Sequence, residues 1–228
     1  MENEMNVMSK AERERIPPHA RIRNAKRGSY DREQVWAVLD KGLVAHVGFI
    51  DAGRPMVIPM IYARRGDTLY IHGASSTRII RKVGETAPLS LTVTLIDGLV
   101  VARAAFHNSV NYRCAIVHGQ ARHVTDPDEL DEALTLLTDH LLPGRWAESR
   151  PVSAKERKAT GVLALEVEEA ATKVRTGGPV DDEEDYTLPI WAGVVPVVTA
   201  LGQPLDDGRL AEGAQVPPSI AASRGRFL

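Results

Sequence analysis

Residues 43–72 read LVAHVGFIDAGRPMVIPMIYARRGDTLYIH, and this stretch decides the fold. Three β-rich runs, Leu43 to Ile50, Pro55 to Tyr62 and Thr68 to His72, are separated by Asp51-Ala52-Gly53 and by Arg64-Arg65-Gly66-Asp67. Both separators carry the Gly and Asp chemistry of tight turns, so the spacing predicts an antiparallel meander. Arg65-Gly66-Asp67 also spells an integrin-binding tripeptide. A hairpin turn asks for Gly and Asp on backbone grounds, and the chain shows no export signal, so the adhesive reading is set aside.

Working outward, the segment before the meander opens with Asp31 as a helix N-cap and Gln34 three residues later. Val35, Trp36, Val38 and Leu39 follow at helical spacing, and Gly42 stops the helix. Residues 1–28 carry seven Lys and Arg (Lys10, Arg13, Arg15, Arg21, Arg23, Lys26, Arg27) against four Glu and read as a polar N-terminal arm. After the meander, Gly73-Ala74-Ser75-Ser76-Thr77-Arg78 opens a short helix with apolar Ile79, Ile80 and Val83. Further strands are predicted at Leu89 to Ile96, then, past a turn at Asp97-Gly98, at Leu99 to Ala105, and at Tyr112 to Val124. Asp126-Pro127 starts a helix with Leu130, Leu134, Leu137 and Leu141 on one face, ended by Pro143-Gly144. Ser153 and Glu156 have capping-box spacing for another, and Val162 to Val167 reads as the last strand. The expected organisation is one core over residues 29–175. An extended arm over 176–228 follows, rich in Gly and Pro and carrying the acidic run Asp181 to Asp185; it is expected to pack on the barrel or on a partner subunit.

Composition narrows the function. The chain has 228 residues, which against ~150 residues per domain favours one core with appendages. The 28 Lys and Arg against 30 Asp and Glu leave a net charge of −2, too dilute in cations for a dedicated nucleic-acid binder. A lone cysteine, Cys114, makes neither an internal disulfide nor the paired thiolates of a structural zinc site, which fits a reducing cytoplasm. Residues 1–15 are charged throughout, and no run of ~18 apolar residues is present, so no membrane association is expected. Aromatics make up only 5%, so aliphatic side chains must fill a β-rich interior. Motifs for Rossmann dinucleotide binding, Walker A loops, nucleophile elbows and H-E-x-x-H zinc sites are all absent from the sequence. Seven histidines show no ligand pair at helical spacing, and no metal site is expected.

One stretch points to a ligand. A helix start offers free N–H groups to an anion, and the hydroxyls of Ser75, Ser76 and Thr77 with the Arg78 fork would complete a cradle for one phosphomonoester. Plain N-capping by Ser75 or Ser76, with Arg78 solvated, is the competing account.

Three longer segments carry a resemblance: Leu69-Tyr70-Ile71-His72-Gly73 through Thr77-Arg78, Leu91 through Arg103, and Phe106-His107-Asn108-Ser109-Val110-Asn111-Tyr112-Arg113. With Asp185-Tyr186 and Pro189 to Val194, they resemble the flavin-nucleotide-binding branch of the pyridoxamine 5'-phosphate oxidase-like split-barrel superfamily, and also its nitroimidazole-resistance members. The resemblance spans roughly residues 20–196. It implies a mainly β fold, a six-stranded antiparallel split barrel with short flanking helices. It also implies a homodimer with one FMN in each of two clefts at the interface. Carried over by position, the backbone of Met56, Val57 and Ile58 would border the flavin ring, with His72 and Gly73 on the neighbouring strand. Thr77 and Arg78 would hold the phosphate, to which the cradle reading adds Ser75. Ile79 stands where the oxidases have a second cation, a role left to Arg81 or Lys82. Asn111 and Cys114 would lie on the strand after the loop, and Lys173 and Trp191 would reach in from the partner subunit. The arginine–histidine pair that holds substrate in true pyridoxamine phosphate oxidases has no counterpart in Lys173-Val174-Arg175-Thr176-Gly177.

The implied activity is that of an FMN-dependent oxidoreductase acting on a small molecule, with NADH or NADPH as candidate reductant and His72 as candidate catalytic group. Two alternatives stand beside it: a non-catalytic flavin-binding or storage module, and a barrel holding haem or a deazaflavin.

Overall fold

The computed structural model describes residues 15–83 and 86–226, so the first half of the polar arm lies outside the described residues. The strands are β1 (Gly28–Ser29), β2 (Val44–Asp51), β3 (Arg54–Arg65), β4 (Thr68–Ala74), β5 (Ala87–Val101), β6 (Ser109–His123), β7 (Thr160–Arg175) and β8 (Gly193–Pro196). The helices are α1 (Arg32–Lys41), α2 (Arg78–Lys82), α3 (Pro127–Leu141), α4 (Ala154–Ala159) and α5 (Pro218–Ala222). The strands are ordered β1-β7-β4-β3-β2-β5-β6, and β6 pairs again with β7, which closes the sheet into a barrel.

The meander forms as its turns dictate. Asp51 pairs with Arg54 around Ala52-Gly53, and Arg65 with Thr68 around Gly66-Asp67. Ala52, Gly53 and Gly66 all take positive φ, the conformation these two-residue hairpins require. Local caps fix the helices: the Asp31 carboxylate accepts from Glu33 N at 2.8 Å, Asp126 accepts from Glu129 N at 2.9 Å, and Ser153 with Glu156 completes a capping box. Gly42 is required by a close approach, because the Tyr62 hydroxyl lies 2.8 Å from where a Cβ would stand. That hydroxyl donates to the carbonyls of Leu39 (2.5 Å) and Gly42 (3.2 Å), pinning the end of α1 to β3.

Among the described residues eight strands are present where a six-stranded barrel was expected. The six long ones, β2 to β7, make the barrel; the two short ones cover edges left where neighbours differ in length. β5 pairs with β2 only over Ser90–Thr92, so its further edge is free to take β8 over 98–101. β1 caps β7 at Thr172 and Lys173, beyond the reach of β4.

Two boundaries differ from expectation. Asp97-Gly98 is no turn: β5 runs through it, with a bulge between Ile96 and Gly98 in its register with β6. Arg113 on β6 donates to Asp97 through Nη2 (2.6 Å) and Nε (3.0 Å), which holds the Asp-Gly pair inside the ladder. β7 extends to Arg175, eight residues past the expected end, with its own irregularity opposite His118 and Gly119.

The interior is aliphatic. Leu39, Val47, Leu69, Ile71, Leu91, Val93, Leu163 and Leu165 are all fully buried in one cluster, closed at one side by α1. Outside the barrel, Leu134 and Leu137 of α3 pack with Ala63, Tyr70, Val162 and Ala164. The strands thus bury alternate residues inward and outward. One seam stays open: β3 pairs with β4 only over Tyr62–Arg65, so from Arg54 to Ile61 its second edge has no strand beside it among the described residues.

Candidate functional site

At the open seam the backbone itself selects one donor. Pro55 and Pro59 have no N–H, so the ladder with β2 runs through the alternate set, which includes Met56 and Ile58, and Arg54 closing the hairpin with Asp51. Residues 55, 57 and 59 therefore turn their backbone toward the open edge, and Val57 supplies the one N–H between two prolines. Its side chain is 64% exposed on the outer face, while Met56 and Ile58 pack partly against the core.

Beside this edge the chain leaves β4 and enters α2. Gly73 is confined there, with Thr77 Oγ1 at 3.3 Å from where a Cβ would be. The N-cap is Thr77, not Ser75 or Ser76, and its side chain makes no capping bond. The Ser75 N–H donates to Ala159 O at 2.8 Å, tying the turn to α4, while its side chain is exposed. Helical spacing brings Arg78, Arg81 and Lys82 to one side, while Ile79 points into the core. These cations, with Arg54, Met56, Ser76, Asp51 and Ala52, line a groove of ≈ 720 Å³. Arg81 and Lys82, the two cations named for the role left vacant by Ile79, both line this groove.

Two groove residues, Asp51 and Arg54, escaped sequence reading. They flank the first hairpin turn, and only the register places them opposite α2. Asp51 lies 3.1 Å from Lys82 Nζ and 3.4 Å from Arg78 Nε, so one carboxylate stands against four cations.

His72 lies on β4 in the same alternation as Tyr70, on the outer side, and not with Ile71 in the barrel interior. Burial lowers its pKa, favouring neutral imidazole, and its buried Nδ1 has no hydrogen-bond partner. A buried ring nitrogen of this kind ordinarily has a hydrogen-bond partner, which makes His72 an exception among the buried polar groups.

The remaining sequence candidates sit elsewhere. Cys114 faces Lys173 across the β6–β7 ladder and is 8% exposed; burial pushes its thiol pKa up, against thiolate chemistry. The Asn111 amide is engaged at both ends, donating to Gly177 O at 2.9 Å and accepting from Arg175 Nη1 at 2.5 Å. Lys173 Nζ lies 6.0 Å from the Tyr112 ring centroid. Trp191 is 65% exposed, with its ring over Gly193. His72 pairs with Val162 on β7, and Lys173 lies eleven residues further along the same strand. At ~3.3 Å per residue that is ~35 Å of strand, so a single chain does not bring the two groups together. No cluster of three metal-ligating side chains occurs among the described residues.

The comparisons agree with this architecture. Residues 31–174 match the family model described as pyridoxamine 5'-phosphate oxidase. The structure is similar to the flavocytochrome Anf3 from Azotobacter vinelandii, with 40% identity and a TM-score of 0.84, covering 90% of this chain and 96% of that one. It is also similar to an FAD- and haem-binding protein from Mycobacterium smegmatis, with 37% identity and a TM-score of 0.82, covering 87% and 98%. A proposed 5-nitroimidazole antibiotic resistance protein from Bacteroides thetaiotaomicron shares the fold at 21% identity and a TM-score of 0.54, covering 64% and 86%. No curated protein matches the chain. With its closed six-strand barrel, its open seam and a family match over most of its length, the chain belongs to the pyridoxamine 5'-phosphate oxidase family of split-barrel proteins.

Proposed function

We propose that the protein binds a flavin, FMN by the single-phosphate cradle, in the groove beside the β3 edge, and uses it as an oxidoreductase on a small molecule. The observation that carries this reading is the pairing of an open strand edge with a cationic groove. Val57 N–H faces the seam, and Arg78, Arg81, Lys82 and Arg54 line the groove with Ser76. A phosphate there gains charge-assisted bonds from the guanidinium and ammonium groups. The exposed Ser75 and Ser76 side chains supply hydroxyl donors. The Val57 N–H offers a hydrogen bond to a ring heteroatom, and Asp51 tempers the positive field. The bound flavin would supply hydride and electron exchange, while these groups hold and orient it.

Two copies share each site in this reading, because Lys173, Trp191, Cys114 and Asn111 stand at the far end of the barrel from Arg78. A second copy brings that end over the groove, and residues 176–228 act as an arm packing on the barrel or the partner. NADH or NADPH is the expected reductant.

Haem as a second cofactor is favoured by one observation: His72 offers a neutral, buried nitrogen without a partner, the form in which imidazole ligates iron. The two similar structures described above at 40% and 37% identity are named for haem or cytochrome character.

The visible spectrum of freshly purified protein, followed by release and identification of the chromophore, tests all of this. Flavin bands are expected, FMN on release, and FAD would correct the choice of nucleotide. A Soret band lost in His72→Ala supports the haem. Colourless protein that takes up no added flavin overturns the reading, and monomer in light scattering overturns the shared site.

A further inference from the structure

A second cavity, of ≈ 200 Å³, lies on the outer face of β6 and β7, roofed by the chain over residues 19–23. It shares no lining residue with the groove at the seam, and with the residues that a second copy would bring over that groove it shares Lys173 alone. Its walls are Ile22, Ile116, Ala170 and Ala171, and its polar groups are His19, Arg21, Arg23, His118 and Lys173. The volume equals that of roughly six or seven liquid waters, too small for a flavin or a haem. We propose that this cavity binds a small organic oxyanion, a carboxylate or phosphate monoester on a short hydrocarbon body.

Three observations support it. Arg23 and Lys173 have no carboxylate within ion-pair distance among the described residues, so two cations face the cavity without a counter-charge. His19 and His118 meet edge to face with centroids 5.0 Å apart, an arrangement two adjacent imidazolium ions would resist without an anion between them. The walls are aliphatic, so a bare inorganic ion would leave them wet, whereas a short alkyl body would cover them.

The charges facing His118 are His19 and Arg21 and Arg23 from the roof, and Glu169 and Lys173 from β7. Glu169 Oε2 lies 3.6 Å from His19 Nε2 and competes as an internal anion. Burial first, and His19 second, lower the pKa of His118, with Glu169 opposing them. The empty cavity therefore holds a neutral imidazole near neutral pH. An entering anion raises that pKa and takes up a proton, so affinity falls as pH rises, by about tenfold per unit where one proton is coupled.

Titration calorimetry of the purified full-length protein with butyrate and with n-butyl phosphate, at ionic strength matched with chloride, tests the site. Binding of either anion at millimolar concentration is expected, with proton uptake and weaker affinity toward alkaline pH. Arg23→Gln, on an exposed side chain, and His118→Gln are expected to lose about tenfold or more in affinity, while bound flavin, read from the visible spectrum of the same samples, stays unchanged. No heat beyond the chloride control, or undiminished affinity in both variants, overturns the proposal. Absence of flavin with intact butyrate binding would break the proposed function and leave this site standing.

Discussion

Strand β7 and the chain beyond it are both rich in aliphatic residues, yet they treat them in opposite ways. Leu163 and Leu165 are sealed inside the barrel, while Leu205 is 92% exposed and Val198, Leu210 and Val216 stand mostly in solvent. The barrel satisfies its own apolar surface through inward alternation on six strands. The later segment is instead held at separate points. β8 lies on β5, Asp181 accepts from Arg103 N and Ala104 N, and Ser219 N donates to Glu148 at 2.9 Å. One region is a closed core and the other a tethered strap whose apolar residues have no cover among the described residues. An exposed apolar run of this kind is the surface on which the proposed second copy would pack.

The largest expected effects fall on the barrel side of this contrast. Leu163→Ala should cost about 3 kcal/mol, and Gly119→Ala a similar amount, because an added Cβ would overlap the carbonyl oxygen of Glu166 at the bulge. Leu205→Ala should stay within about 0.5 kcal/mol for the monomer. Urea denaturation separates these outcomes, and comparable losses at Leu163 and Leu205 would erase the distinction between core and strap. Next in size, Arg78→Ala should weaken flavin binding by about tenfold to a hundredfold, measured by fluorescence titration, as expected for a lost charge-assisted bond. Leu205→Asp should leave monomer unfolding unchanged but weaken self-association by roughly tenfold in sedimentation equilibrium; unchanged association would mean the strap covers nothing. A smaller effect of opposite sign is expected for Asp51→Asn: removing the carboxylate beside Arg78 and Lys82 should tighten flavin binding by about threefold to fivefold.

Acid probes the strap's attachment. Burial opposes ionisation of Asp181, but the N–H groups of Arg103 and Ala104 and the Arg103 guanidinium outweigh it and hold the carboxyl below its usual range. A carboxyl with a lowered folded pKa contributes stability above its unfolded value of ~3.9 and loses it as pH falls through the folded one. Hydrogen exchange should therefore show residues 102–107 and 181–187 loosening below about pH 4. Full protection of both segments there would remove Asp181 as the anchor.

What the sequence made legible was local. The Asp31, Asp126 and Ser153 caps and the turns at 52–53 and 66–67 are each decided within four residues, and each forms where expected. Asp97-Gly98 carried the same kind of local mark, but Arg113, sixteen residues away, holds it inside a continuous strand. The end of β7 was hidden because its polar residues after Val167 pair with β6, a partner some fifty residues earlier in the chain. At the site, Arg78 and the hydroxyl run were readable because they are contiguous. Asp51 and Arg54 join them only through strand register, and the outward orientation of His72 follows from the pleat of a sheet whose inner face no single strand defines.

The two prolines on β3 reach beyond ligand binding. An uncovered strand edge is a template on which another chain's strand can add, and a nascent protein meets that hazard before any cofactor or partner arrives. Between Pro55 and Pro59 the edge offers Val57 as a lone donor where a docking strand would need an unbroken row of them. The seam can thus stay open to a small molecule and closed to misassembly, a selectivity written into the backbone by two residues that lack a hydrogen.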